Sequence, residues 1–175
     1  MKARDLYNYD NEAFGVLREP ARQVVAAYQQ AARFLDTVQE SVYIEHGLVH
    51  TARMLHNLAH EMPKRFDEFG DMLHERHLMT EYPATPELTE RVEDMDKAFE
   101  IAIAVLDDVQ EALEAFHAVT DTAAFRPMAL KTEELMLQNS RDYTRILNAW
   151  VMWDENPGKT SFDNWVLHLT GGDGE

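Results

Sequence analysis

Apolar residues recur every three or four positions along two long stretches of the chain. Such spacing places them on one face of a helix. Stripes of this length are typical of helices that pack at shallow crossing angles in a bundle. The first stripe comprises Val24, Tyr28, Ala31, Leu35, Val38, Val42, Glu45, Val49, Ala52 and His56, and the second comprises Leu88, Val92, Met95, Phe99, Ala102, Leu106, Val109 and Leu113.

Proline and turn residues divide the helical part of the chain. Pro63 disfavours a helical Met62, so the first helix is predicted from about residue 20 to between 56 and 62, and the second from there to about residue 81. The stretch TEYPATPE reads as a turn. Thr85 as a cap and Pro86 in the first helical position predict a third helix that reaches about residue 117.

Asp121 as a cap and Pro127 near the start predict a fourth helix, which ENPG stops after about residue 154. The short turns make neighbouring helices antiparallel. The sequence therefore predicts an all-α fold, an up-down four-helix bundle over residues 20–155. Residues 1–19 form an N-terminal extension. Residues 156–175 form a C-terminal tail, whose apolar piece docks on the bundle or on a neighbouring subunit.

Composition narrows the classes of function. The 175 residues carry a net charge of −16, from 32 acidic and 16 basic residues, and no basic patch stands out. Because such a field repels phosphate backbones, direct nucleic-acid binding is not expected. No apolar run approaches the roughly 20 residues of a membrane span, and no signal peptide is evident, so a cytoplasmic protein is expected. The chain has no cysteine, which excludes disulfides and thiolate metal sites.

Six of the eight histidines fall between residues 46 and 77. His46 and His50 are four residues apart, as are His56 and His60, and this spacing stacks two imidazoles on one helical face. Asp71 precedes His74 by three residues, a spacing that occurs in carboxylate-bridged metal sites of helical bundles. Asp71 and Glu75, four residues apart, form a second pair on the same helical face. The combination favours a site for iron, manganese or zinc, since these ions accept imidazole and carboxylate donors.

The segment LHNLAHEMPKRFDEFGDMLHER resembles the second-helix signature of the Dps family, the small ferritins. His56 stands at that family's histidine, and His60 at the acid four residues later. Asp71 follows after eleven residues, then Glu75 after four, with Arg76 at the arginine that comes next. The turn EYPATPELTE is similar to the Tyr-Pro turn and threonine-leucine entry of the same family.

The resemblance implies a ferritin-like bundle, assembled as a homo-oligomeric hollow shell of twelve subunits that oxidises ferrous iron with peroxide or oxygen and stores the ferric product. It implies a ferroxidase site between subunits related by a twofold axis. The resemblance implies His56, His60, Asp71 and Glu75 as metal ligands. The spacing of the other histidines adds His46 and His74 to the expected set. The family's first-helix histidine falls on Ile44 here, so which of Glu45, His46 and His50 supplies that ligand stays open.

Three alternatives remain. An intrasubunit ferritin site would use Asp71-x-x-His74 with acids of the other helices, such as Asp96, Glu100, Glu133 and Glu134. A non-catalytic assembly or interaction protein on a degenerate ferritin-like bundle is the second alternative. A hemerythrin-like sensor is the third, although the predicted third and fourth helices offer a single histidine, His117.

Overall fold

The computed structural model describes residues 12–88, 92–155 and 158–170. Within these ranges the chain forms six helices. They are α1 (Glu12–Gly15), α2 (Arg18–Ile44), α3 (Val49–His74), α4 (Met95–Thr120), α5 (Arg126–Glu155) and α6 (Lys159–Thr170). Helices α2 to α5 make a four-helix bundle, and α6 packs mainly on α3. The predicted all-α four-helix bundle is confirmed.

A long crossover connects α3 to α4. The rings of Phe69 and Phe116, near the C-terminal ends of α3 and α4, lie 4.9 Å apart, so these two helices run in the same direction. The connection follows α2, because Arg18 at the start of α2 bonds Glu81 and Arg33 further along it bonds Thr85. The expectation of a short turn and antiparallel second and third helices was therefore wrong.

The first predicted helix is in fact two helices joined by a tight turn. Helix α2 ends at Ile44 and α3 begins at Val49. Gly47 has φ +69°, a left-handed conformation that a glycine adopts without steric cost. Glu45 is exposed at this helix end rather than lying on a buried stripe. Pro63 does not end a helix, because α3 continues through it with the ring on the exposed side.

The later helix starts also differ from the prediction. Helix α4 begins at Met95, where the Asp94 carboxylate accepts a hydrogen bond from the backbone N–H of Lys97. Thr85 caps no helix, and its hydroxyl accepts a hydrogen bond from Arg33 instead. Asp121 closes the end of α4, and its carboxylate pairs with Arg126. Pro127 does lie in the first turn of α5, as predicted.

The core is built from the two apolar stripes of the sequence. The members of the first stripe from Val24 to Val42 are buried, and so are those of the second from Val92 to Leu113. Three tryptophans of α5 and α6 border this core, and Trp150 also donates a hydrogen bond to Asp96. None of the helices within the described ranges is both long enough and apolar enough to cross a membrane.

Asp163 of α6 caps α3 from outside that helix. The residue before α3, Leu48, offers no capping side chain. The Asp163 carboxylate instead accepts hydrogen bonds from the backbone N–H groups of His50 and Thr51 and from the Thr51 hydroxyl, at 2.9 to 3.1 Å. A carboxylate in this position satisfies free N–H groups and complements the helix dipole. The contact ties the tail to the α2–α3 turn.

We expect Asp163→Ala to lower the free energy of unfolding by about 1–3 kcal/mol, because it leaves the buried donors of Thr51 unpaired. Urea denaturation measures this loss. The exposed neighbour Asn164→Ala is the matched control on α6. Equal stability of the two variants would contradict the capping role.

We expect Pro63→Ala to raise the free energy of unfolding by about 1–2 kcal/mol, because it restores the N–H that the Ala59 carbonyl lacks in the helix. Asn57→Ala, exposed on the same helix, controls for the helix propensity of alanine, which is worth less than about 1 kcal/mol. A Pro63→Ala protein no more stable than the control would show that α3 has fully accommodated the proline.

Candidate metal centre

Asp36, His56 and His60 form a cluster on the outer surface of the α2–α3 hairpin. The Nδ1 atom of His56 lies 3.8 Å from an Asp36 carboxylate oxygen. The His56 and His60 rings, one helical turn apart, have centroids 4.3 Å apart. One ligand atom from each of the three residues lies within 4.8 Å of the other two. In the described part of the chain, no other group of three or more histidine and acidic side chains meets this criterion.

The donor set fits a divalent transition ion. Imidazole nitrogens and carboxylate oxygens bind such ions at about 2.0–2.2 Å, which puts the donors of one ion about 3 to 3.5 Å apart. The three side chains therefore need to close by about an ångström, and all three are exposed and unconfined by the core. Three protein ligands leave coordination positions for water, an oxidant or a further ligand.

The structure does not bring the other predicted ligands to this cluster. Asp71 and Glu75 lie on the same face of α3, but Asp71 is fifteen residues from His56, or about 22 Å along the helix axis. They line an open pocket of about 320 Å³ that also contains the cations Arg76 and Lys131. A hydrogen bond to Glu68 raises the pKa of Lys131, so this pocket already contains a stabilised positive charge.

The two remaining predicted ligands lie apart from one another as well. His74 Nε2 lies 3.2 Å from the Thr80 hydroxyl, so this ring is bonded to the crossover. His46 belongs to the α2–α3 turn, where its Nε2 is buried and has no hydrogen-bond partner among the described residues. Whether either residue binds a metal stays a prediction.

The intrasubunit site is not assembled in the described part of the chain. Asp71, His74, Glu133 and Glu134 are all exposed. Because α3 and α4 are parallel, Asp71 lies level with the C-terminal end of α4, whereas Asp96 and Glu100 lie near its N-terminal end. The centre of the bundle holds a buried ion pair of Arg65 with Asp142 instead.

Sequence reasoning missed Asp36. A signal was present, because a hairpin that turns near residue 46 places positions equally distant from the turn side by side, and residues 36 and 56 are such a pair. Locating the break at Pro63 instead of Gly47 concealed this pairing.

The fold is similar to that of solved bacterioferritins. Mycobacterium tuberculosis bacterioferritin BfrA superposes with a TM-score of 0.67 at 15% identity, covering 90% of this chain and 94% of that one. A second structure of BfrA from M. tuberculosis gives 0.68, and a mycobacterial bacterioferritin gives 0.67, each at 15% identity and covering 90% of this chain and 93% of that one. No family model matches the sequence. No curated protein matches it either. At this identity the likeness establishes the ferritin-like fold.

We expect one Co²⁺ ion to bind per chain at the surface cluster, with nitrogen ligation visible in the optical spectrum. His56→Ala with His60→Ala should weaken this binding about tenfold or more, because two of three donors are lost. Asp36→Asn tests the third donor. His168→Ala, an exposed histidine of α6, is the control and should bind as the parent does. Unchanged binding in the double variant would place the metal elsewhere.

Proposed function

We propose that the protein binds ferrous iron at Asp36, His56 and His60 and takes part in its oxidation and sequestration, as a ferritin-like protein. The observation that carries the proposal is the convergence of two imidazoles and a carboxylate within 4.8 Å on a bundle of this type. Manganese and zinc suit the same donors. The net charge of −16 supports the proposal further, since an acidic surface raises the local concentration of cations.

The single-chain cluster accounts for one ion, and a two-ion site needs further carboxylates. Asp71 and Glu75 are the candidates, because they are exposed on the same face of α3 as His56 and His60. The nearest members of the two groups, His60 and Asp71, are eleven residues apart, or about 16 Å along the helix axis, so the two groups cannot meet within one chain. Two copies packed antiparallel along α3 would place Asp71 and Glu75 of one copy against the histidines of the other. The proposal therefore includes a homo-oligomer, with the twelve-subunit shell of the Dps family as its specific form.

In this scheme the protein positions the iron ions and neutralises part of their charge. His56 and His60 hold the ion, Asp36 neutralises part of its charge, and the facing carboxylates bind the second ion. Each ferrous ion gives one electron to oxygen or peroxide, and the ferric product is stored. Consumption of peroxide by this reaction would protect a cell from oxidative damage.

A second candidate function is a non-catalytic assembly or interaction protein. The observation that favours it is the polar content of the bundle interior. The buried acids of the described residues are Asp142, which is paired with Arg65, and Asp163, which caps α3. Neither is available to a metal centre inside one chain.

Aerobic oxidation of Fe²⁺, followed by ultraviolet absorbance in a stopped-flow instrument, tests the proposal. We expect a fast phase in the parent protein that His56→Ala with His60→Ala abolishes. Asp71→Ala with Glu75→Ala should abolish the fast phase too, while Co²⁺ binding at the surface cluster is retained.

The control is Glu111→Ala with Glu114→Ala, which removes two exposed acids of α4 outside the pocket of Asp71 and Glu75 and should leave the rate unchanged. Light scattering gives the size of each assembly. A parent protein that oxidises iron no faster than buffer, in its assembled form, would select the non-catalytic function.

A further inference from the structure

A groove of about 530 Å³ opens between α3 and α5, away from the surface metal cluster. Its volume lies within the range of small-molecule sites. Five of its lining residues are charged, namely Arg65, Arg141, Arg145, Glu61 and Asp142. Three arginines against two carboxylates give the lining a net formal charge of +1 in a chain of net charge −16. The groove is thus a local exception to the acidic field of the protein.

Arg65 lies at the buried end of this groove. Its side chain is 9% exposed, and its Nη2 is bonded to Asp142. Its other terminal nitrogen, Nη1, is buried with no hydrogen-bond partner among the described residues. A buried guanidinium N–H without an acceptor is costly, so an acceptor that enters the groove and reaches Arg65 would be stabilised.

The hydroxyl of Tyr28, on α2, is a second buried donor near Arg65, but Tyr28 lines a separate pocket beside α2 and not the α3–α5 groove. This hydroxyl also has no partner within the described residues. Burial raises the pKa of Tyr28, and the nearby charges of Arg65, Glu68 and Asp142 act on it as well, so the phenol stays protonated and able to donate. Of these two donors, Arg65 alone lines the groove, so its unpaired guanidinium N–H is the one that favours an anion there.

The outer part of the groove presents charge and apolar surface together. Arg141 is exposed at the rim, and Arg145 stands 3.9 Å from the second oxygen of Asp142. Met54, Leu58 and Ile146 supply apolar side chains, and Asn57 and Gln138 supply amides. Arginine forks bind carboxylate and phosphate oxygens in pairs.

We propose that the α3–α5 groove binds a small organic anion, with a carboxylate or phosphate head group against Arg65, Arg141 and Arg145 and an apolar body along Met54, Leu58 and Ile146. The site is independent of the surface metal cluster. Its occupation or absence therefore says nothing for or against iron oxidation.

Isothermal titration calorimetry on the full chain tests the proposal with four probes: hexanoate, hexyl phosphate, inorganic phosphate and hexanol. We expect saturable 1:1 binding of the first two at millimolar concentrations or below. Inorganic phosphate should bind more weakly because it lacks the apolar body, and hexanol should not bind. Preference between hexanoate and hexyl phosphate identifies the head group.

Arg141→Gln should weaken the binding of the preferred anion about tenfold, because it removes one charge-assisted contact. Arg53→Gln, an exposed arginine of α3 outside the groove, is the matched control and should bind normally. Arg65→Met with Asp142→Leu removes both members of the buried pair, a change that such sites often tolerate, and it should abolish binding.

Arg141 is exposed, so its substitution is not expected to unfold the protein. The Arg141→Gln variant therefore tests the proposal even if the buried double variant is unstable. The proposal would be overturned if neither hexanoate nor hexyl phosphate bound saturably to the parent protein. Equal affinity of Arg141→Gln and Arg53→Gln would overturn it as well.

Discussion

The register of α3 against α2 is the constraint on which the proposed chemistry depends. Gly47, with φ +69°, lets the chain reverse within a few residues. Asp163, which belongs to α6, then accepts hydrogen bonds from the first backbone N–H groups of α3. Since the turn and the cap together fix where α3 begins, they determine which residues of the two helices face one another. A shift of a single residue would rotate His56 by about 100° and separate it from Asp36.

Polar groups serve different purposes inside and outside the bundle. The interior uses its charges in pairs, as with Arg65 and Asp142, and an ion pair of this kind is weak evidence for stability but costly to break. Most of the imidazoles and carboxylates lie outside, where a metal, a neighbouring subunit or solvent can reach them. Metal binding on such an exposed surface is not strengthened by a low-dielectric interior. It therefore depends on the exact positions of the donor atoms and on the ligands that another copy of the chain contributes.

Much of the fold could be predicted from the sequence because apolar periodicity reports directly on burial. The stripes from Val24 to Val42 and from Val92 to Leu113 are buried as expected. The breaks were harder to place. Pro63 is tolerated within α3, whereas the real turn lies at Gly47, where no proline marks it. The parallel direction of α3 and α4 depends on long-range packing, which local spacing does not encode. Within the site, the spacing of His56 and His60 was informative, but Asp36 comes from another helix and becomes visible only when the turn is placed correctly.

Anomalous diffraction from crystals of the protein soaked in ferrous iron without oxygen tests the central claim most directly. Data collected on both sides of the iron absorption edge locate the ion regardless of activity. The account predicts an iron peak within about 2.5 Å of the donor atoms of Asp36, His56 and His60. A peak confined to other residues, or iron-loaded crystals in which these side chains have no ion between them, would contradict it.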